Sequence, residues 1–127
     1  MNLRMLFTIN VPISFFFGLT CLLIPEQLIS LYDAEISTAG IYMTQLAGAA
    51  YLGFGVLAYQ ARSSTSTEFA LALALAFFVQ DSIGAAVSLY AQINGTFNVL
   101  GWSTVALYLL LALGYGYFRF LKPESVK

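Results

Sequence analysis

The sequence predicts an all-α integral membrane protein, a four-helix bundle with both termini in the cytoplasm. Three observations predict this class: the composition, a series of long apolar stretches, and an uneven distribution of charge. Of the 127 residues, 60% are hydrophobic and only 9% are charged, whereas a soluble domain carries roughly 25% charged residues. Four apolar stretches cover approximately residues 7–24, 41–60, 69–92 and 100–120, and about 20 residues suffice for a transmembrane helix. The whole chain, 1–127, is therefore expected to form a single transmembrane domain.

The first apolar stretch, 7–24, is interpreted as a retained transmembrane helix rather than as a cleaved signal peptide. No small-x-small cleavage site follows it, as a signal peptide would require. Pro25 ends this helix, because proline lacks a backbone N–H and clashes with the preceding turn. The connection 25–40 combines a short apolar face with acidic residues, which predicts a brief helix lying at the membrane interface.

Capping signals predict where the other helices begin. Ser37 or Thr38 is the expected N-cap of the second span, because a side-chain oxygen there can accept from the first free backbone N–H groups. Thr65 and Glu68 have the spacing of a capping box, which predicts the start of the third span. Asn98 is the expected cap of the fourth.

The distribution of charge predicts the orientation of the bundle. With four spans, all the basic residues fall on one side: Arg4, Arg62, Arg119, Lys122 and Lys127. The other side carries Glu26, Asp33 and Glu35. Basic loops stay in the cytoplasm, so we expect a multi-pass protein of the cell inner (plasma) membrane with cytoplasmic N- and C-termini.

Aromatic residues near the ends of the spans are expected to mark the two membrane interfaces, where their amphipathic rings are enriched. The residues expected at the outer boundary are Tyr32, Tyr42, Tyr90 and Trp102. Those expected at the inner boundary are Tyr59, Tyr115, Tyr117 and Phe118.

The third span carries an acidic residue, Asp81, near its middle, with Gln80 beside it. An ionisable group at that depth costs roughly 2.5–3.5 kcal/mol on insertion scales, so it requires a structural or functional reason. Aligning the spans by depth, to within about one helical turn or roughly 5 Å, places Ser14, Tyr51 and Tyr108 near the level of Asp81. No basic residue lies at this depth, so the expected partners of Asp81 are amide and hydroxyl groups. The candidate intramembrane polar site comprises Asp81, Gln80, Gln45, Tyr51 and Tyr108.

Small and polar residues at helical spacing predict which faces line the interior of the bundle. In the third span this face contains Ala70, Ala74, Phe77, Asp81, Ala85 and Ser88. In the second span the expected face contains Gln45, Ala49 and Gly53, and in the fourth Thr104, Tyr108, Ala112 and Gly116. Ala49 and Gly53 also form a small-xxx-small pair, which would allow a neighbouring helix to approach closely.

Asp81 is open to two interpretations. It can be a hydrogen-bonded packing residue that fixes the register of the helices. It can also be functional, as a proton carrier or as a contact for a ligand, because intramembrane carboxyl groups often mark such sites.

The sequence excludes several kinds of chemistry. It contains no His, a single cysteine, Cys21, and no phosphate-binding glycine loop, so it lacks the residues of common metal sites, cysteine pairs and catalytic triads. We expect no cofactor and no metal. The net charge of −1 argues against a nucleic-acid partner, for which a basic face would be expected.

Two segments resemble parts of known proteins: QLAGAAYLGFGVLAYQAR, 45–62, and NVLGWSTVALYLLLALGYGYF, 98–118. Together with Pro25-Glu26, they resemble small four-span bacterial inner-membrane proteins of unknown function, which are similar in architecture to the DoxX-like group. Some DoxX-like proteins are linked to quinone or thiol redox systems. The matched residues here carry no redox group, so the resemblance implies the architecture and not that activity.

The lipid bilayer is an expected partner of the protein. Two functions are compatible with these features. The first is a non-enzymatic membrane bundle that binds an apolar or amphipathic small molecule or acts as a subunit of a larger membrane complex. The alternative is a small proton-coupled transporter, a homo-oligomer, in which Asp81 exchanges its proton with the substrate. A membrane enzyme is disfavoured because the sequence offers no evident nucleophile and base.

Overall fold

The computed structural model describes residues 1–123, and its regular secondary structure there is helical throughout. The elements in chain order are α1 (Leu3–Leu23), α2 (Pro25–Ser30), α3 (Thr38–Ser63), α4 (Thr67–Ile93), α5 (Gly101–Gly116) and a π-helical segment (Tyr117–Leu121) that continues α5. Four helices are long and apolar enough to cross a membrane: α1, α3, α4, and α5 together with its π-helical end. The prediction of an all-helical protein with four apolar spans is confirmed.

The ends of the helices follow from local capping. Ile24 caps α1 at its C-terminal end, and Pro25 begins α2 directly afterwards. Ser37 is the N-cap of α3 as predicted, its hydroxyl accepting from the Gly40 backbone N–H at 3.1 Å. The N-cap of α4 is Ser66 and not Thr65.

Helix α4 begins one residue later than predicted, and the cause is local. The Ser64 hydroxyl accepts from the Ser66 backbone N–H at 3.1 Å. This bond orders the short loop and leaves Ser66 as the N-cap. The Ser66 hydroxyl then accepts from the Phe69 N–H at 3.2 Å, in the usual N-cap to N3 pattern. The capping box predicted from Thr65 and Glu68 is therefore not used.

The long helices pack as two antiparallel pairs. Helix α1 packs extensively against α3, and α4 against α5, whereas contacts between the two pairs are sparser. Arg4, at the start of α1, donates to the backbone carbonyl of Ser64, just after α3, which places these two ends together. The structure is thus two helical hairpins placed side by side, and the space between them is where a cavity can form.

Glycines allow α1 and α3 to approach closely, but they are not the residues that the sequence pattern suggested. A Cβ atom on Gly48 would lie 2.8 Å from the Gly18 carbonyl oxygen, and one on Gly55 would lie 3.1 Å from the Phe15 ring. Both glycines are buried, whereas Ala49 and Gly53 are exposed. The face of α3 that packs inside the bundle is therefore turned away from the predicted Ala49–Gly53 pair.

The solid part of the core fills the end of the bundle where α1 begins and α5 ends. Its buried members are Leu3, Leu6, Phe7, Ala58, Ala61, Ala70, Leu73, Ala74, Phe77, Leu111, Tyr115 and Phe118. The Phe7 ring centroid lies 5.6 Å from that of Tyr115 and 6.2 Å from that of Phe77. These aromatic contacts join both helix pairs at this end and close the space between them.

Two of the aromatic residues expected at the inner interface belong to this core. Tyr115 is 0% exposed and Phe118 is 3% exposed, because they continue the interior face of α5 that carries Tyr108 and Ala112. Tyr59 and Tyr117 remain exposed at the same end, and the Arg62 guanidinium lies 4.1 Å from the Tyr59 ring centroid.

The antiparallel arrangement separates the charges along the bundle axis. Arg4, Arg62, Arg119 and Lys122 lie at the end of the solid core, and Glu26, Asp33 and Glu35 lie in α2 and the loop after it, at the opposite end. Lys127 lies outside the described residues.

Candidate functional site: a cavity between the helix pairs

A cavity of about 190 Å³ lies between the two helix pairs, on the α2 side of the solid core. Its walls are largely apolar, with side chains such as Ile13, Phe17, Leu107 and Leu111. Its polar lining residues are Asn10, Ser14, Tyr32, Tyr51, Gln80, Asp81, Ser88, Thr104 and Tyr108. A mostly apolar cavity with a few polar groups is the usual form of a small-molecule site.

Asp81 lines this cavity from the middle of α4. Its side chain is only 3% exposed, and its Oδ2 atom is buried without a hydrogen-bond donor from any of residues 1–123. The neighbouring residue, Gln80, also lines the cavity, and its Oε1 atom is likewise buried without a donor from the described chain. Buried polar atoms are nearly always hydrogen-bonded in native structures, so two unpaired acceptors on one cavity need an explanation.

Two of the hydroxyl groups predicted at the depth of Asp81 bind one another. Tyr51 of α3 and Tyr108 of α5 share a hydrogen bond through their hydroxyl oxygens, which links the two helix pairs. The Tyr108 ring lies against Gly84, where a Cβ atom would come within 2.7 Å of the ring. Gly84 therefore allows the tyrosine to pack against α4 and to reach Tyr51.

A second polar network lies at the closed end of the cavity. The Ser14 hydroxyl donates to Asn10 Oδ1 at 3.2 Å, and Asn10 Nδ2 donates to the Tyr115 hydroxyl at 2.9 Å. Ser14 and Asn10 are one helical turn apart on α1, so they share a face. This network joins α1 to α5. The polar side chains of Asn10 and Ser14 are thereby hydrogen-bonded to other groups of the protein.

The α2 end of the cavity is covered by the two loops that meet there. The Tyr32 hydroxyl is hydrogen-bonded to the Thr104 hydroxyl at 3.1 Å, and its ring packs edge-on against Phe97 with centroids 5.6 Å apart. Asn98 Nδ2 donates to the Leu31 carbonyl at 2.9 Å, and Asn98 Oδ1 accepts from the Leu100 N–H at 2.9 Å. The N-cap of α5 is Leu100, with no side-chain cap bond, so the prediction that Asn98 caps this helix is wrong. Asn98 instead orders the turn before α5 and ties the two loops together.

The structure brings four of the five candidate residues together around the cavity: Asp81, Gln80, Tyr51 and Tyr108. Gln45 does not belong to this group. Its amide Nε2 donates to the backbone carbonyl of Leu22 at 3.2 Å, near the end of α1. Gln45 is nearly two turns before Tyr51 on α3, so this bond holds it near the end of the bundle and away from Asp81.

Sequence reasoning did not select Asn10, Tyr115, Tyr32 or Thr104 as site residues. Asn10 and Ser14 offered a signal, because two polar residues four apart in an apolar helix share one face. Thr104 was expected on the interior face of the fourth span, but its pairing with Tyr32 offered no signal, since the two residues are 72 positions apart in the chain.

The cavity offers oxygen acceptors and hydroxyl groups, which suit hydrogen bonding to a ligand. Within residues 1–123, no group of three or more His, Cys, Asp or Glu side chains is placed to hold a metal ion. Comparison of the chain with protein families, with curated proteins and with solved structures found no match.

Proposed function

We propose that this is a non-enzymatic multi-pass membrane protein that binds a small amphipathic molecule in the cavity between its helix pairs. The observation that carries the proposal is the pair of buried acceptors, Asp81 Oδ2 and Gln80 Oε1, on an otherwise largely apolar cavity. An unpaired buried acceptor costs about 1–3 kcal/mol. A ligand that donates to these atoms would remove that cost, and its apolar part would pack against the walls.

The volume of the cavity limits the size of the ligand. An engineered cavity of about 150 Å³ in another protein binds benzene, so about 190 Å³ accommodates about eight non-hydrogen atoms. Benzyl alcohol has this size, a donor hydroxyl and an apolar ring, and it is a suitable neutral probe.

The proposal is tested by thermal unfolding of the purified protein in detergent with increasing benzyl alcohol. Saturable binding at ten times Kd stabilises the folded state by about 1.4 kcal/mol. Ser88→Phe places a ring at the cavity wall and should abolish this stabilisation. Val87→Phe is the matched control, because Val87 is the preceding residue of the same helix, is 63% exposed and does not line the cavity, and it should retain the stabilisation. Equal responses in both variants would show that the alcohol acts through the micelle, and the proposal would be rejected.

A second function, small proton-coupled transport by a homo-oligomer, is favoured by the burial of Asp81. A carboxyl group that is 3% exposed at the middle of a membrane-spanning helix can exchange a proton with a substrate that enters the cavity. The bundle would have to open at the solid core, where Phe7, Phe77 and Tyr115 close the space between the pairs.

Transport is tested in proteoliposomes with a pH gradient. Benzylamine crosses a bilayer passively in its neutral form, so its accumulation is measured as the excess over protein-free liposomes. This excess should depend on the gradient in the wild type, and Asp81→Asn should abolish it without unfolding the protein. Gradient-driven uptake that survives this substitution would reject the role of Asp81.

We also propose that the basic end of the bundle faces the cytoplasm of a bacterial cell, with the protein in the inner membrane as its DoxX-like resemblance suggests. The support is the positive-inside rule and the position of Arg4, Arg62, Arg119 and Lys122 at one end. Single cysteines introduced in Cys21→Ser protein at Ser64 and at Glu35 test this orientation. In intact cells a membrane-impermeant thiol reagent should label position 35 and spare position 64; the reverse pattern would show the opposite orientation.

A role as a subunit of a larger membrane complex would appear as co-purifying protein in mild detergent.

A further inference from the structure

We infer that the cavity prefers primary amines to alcohols of the same size, and that Asp81 is the residue that confers this preference. The inference rests on the proposed function, because it assigns a ligand class to the same cavity. It follows from which polar atoms of the cavity are already paired and which are not.

The hydroxyl and amide groups around the cavity are largely paired with one another. Tyr51 is paired with Tyr108, and Tyr32 with Thr104. Asn10 accepts from the Ser14 hydroxyl and donates to that of Tyr115. None of these groups donates to Asp81 Oδ2. Most of the neutral polar groups are thus paired within the protein, whereas Asp81, on the wall of the cavity, keeps an acceptor that none of them satisfies.

The second unpaired acceptor, Gln80 Oε1, belongs to the neighbouring position on α4 and lines the same cavity. A protonated primary amine has three N–H donors and no acceptor, so one such group carries enough donors for both oxygens. An alcohol has a single donor and can satisfy only one of them. A carboxylate ligand would bring acceptors towards acceptors, and it should bind worst.

Charge favours the amine for a separate reason. The basic side chains of the described residues lie at the end of the bundle, whereas Asp81 lies at the middle of α4. A cationic ligand supplies a counter-charge at that depth, and hydrogen bonds between ionised partners are roughly twice as strong as neutral ones. If a neutral amine meets a protonated carboxyl group, transfer of the proton from the acid to the amine gives the ammonium and the carboxylate. The ion pair therefore forms with no other reactant.

The walls of the cavity are also suited to a cation with an aromatic or alkyl body. Phe17, Tyr51 and Phe77 line it, and the faces of aromatic rings attract ammonium groups in sites shielded from water. The apolar part of the ligand would pack among Leu28, Ile29 and the rings.

The experiment compares benzylamine with benzyl alcohol, which has the same number of non-hydrogen atoms. Both are titrated into the purified protein in detergent, and saturable binding is measured against Ser88→Phe to subtract partition into the micelle. The wild type should bind benzylamine about tenfold or more tightly than benzyl alcohol, the factor that corresponds to one strengthened hydrogen bond. Asp81→Asn should lower benzylamine affinity until the two ligands bind alike.

Each result either supports or overturns the inference. Equal affinities in the wild type, or a preference for benzylamine that persists in Asp81→Asn, would overturn it and leave the proposed function standing. Absence of saturable binding for both ligands would overturn both. If Asp81→Asn does not fold, Gln80→Leu decides the matter, because it removes one acceptor and keeps the carboxyl group. This variant should lower benzylamine affinity more than that of benzyl alcohol, and an unchanged ratio would count against the inference.

Discussion

Replacing Gly48 by alanine should destabilise the protein, whereas the same change at Gly53 should not. Both glycines lie in α3, but a Cβ atom on Gly48 would lie 2.8 Å from the Gly18 carbonyl oxygen and 2.9 Å from the Leu22 nitrogen. These are backbone atoms, so α1 and α3 would have to separate. A Cβ atom on Gly53 would meet nothing within 4 Å.

The magnitude follows from two terms. Alanine favours a helix over glycine by up to about 1 kcal/mol, and this gain applies to both variants and cancels in their difference. Overpacking costs about 1–3 kcal/mol and applies to Gly48→Ala alone. The two variants should therefore differ by about 1–3 kcal/mol in the free energy of unfolding.

The assay is reversible unfolding in mixed micelles, in which a denaturing detergent is titrated against a mild one and helicity is followed. Gly53→Ala should unfold at or above the wild-type midpoint, and Gly48→Ala clearly below it. Equal midpoints for the two variants, or a lower one for Gly53→Ala, would refute the assignment of Gly48 to the α1–α3 contact.

Two further substitutions test the polar contacts of the bundle. Tyr115→Phe removes the acceptor of the buried Asn10 amide and should lower the free energy of unfolding by about 1–3 kcal/mol; Tyr90→Phe, at a side chain that is 71% exposed, should change it by less than about 0.5 kcal/mol. A similar effect of both would contradict the buried network. Asn98→Ala removes the bond to the Leu31 carbonyl and the acceptor of the Leu100 N–H, and should speed amide hydrogen exchange at the start of α5; unchanged exchange there would contradict the coupling of the two loops.

Much of the fold could be predicted because its cause is local in the sequence. Helices in a bilayer must satisfy their own backbone groups and expose apolar side chains, so composition and length alone indicate the four spans. Pro25 and Ser37 act within a few residues of their own positions, and their effects could be foreseen for that reason.

The interior face of α4 was also predictable, whereas that of α3 was not. Asp81 is costly in contact with lipid, so it identifies the inward face of α4, and Phe77 and Ala74, one and two turns before it, are buried with it. Helix α3 has small residues on several faces, including both Gly48 and Ala49. Only the position of α1 decides which of them is inside, and that position depends on contacts made far along the chain.

At the candidate site, the depth of the residues could be predicted from the sequence, but their hydrogen-bond partners could not. The depth alignment placed Tyr51, Asp81 and Tyr108 at one level, and all three line the cavity. The pairing was different from the expectation, because the two tyrosines bind each other and leave Asp81 without a donor among the described residues. Depth fixes which residues can meet, but the rotation of each helix about its axis decides which of them do.

The central claim is that the space between the helix pairs is a binding site for a small amphiphile. The most direct measurement is a crystal structure of the protein with 4-bromophenol, using anomalous scattering from bromine to locate the ligand. We predict a bromine peak between the two helix pairs, near Leu107 and Leu28, with the phenol hydroxyl directed towards Asp81. Bromine peaks found only on the lipid-facing surface of the helices would contradict the claim.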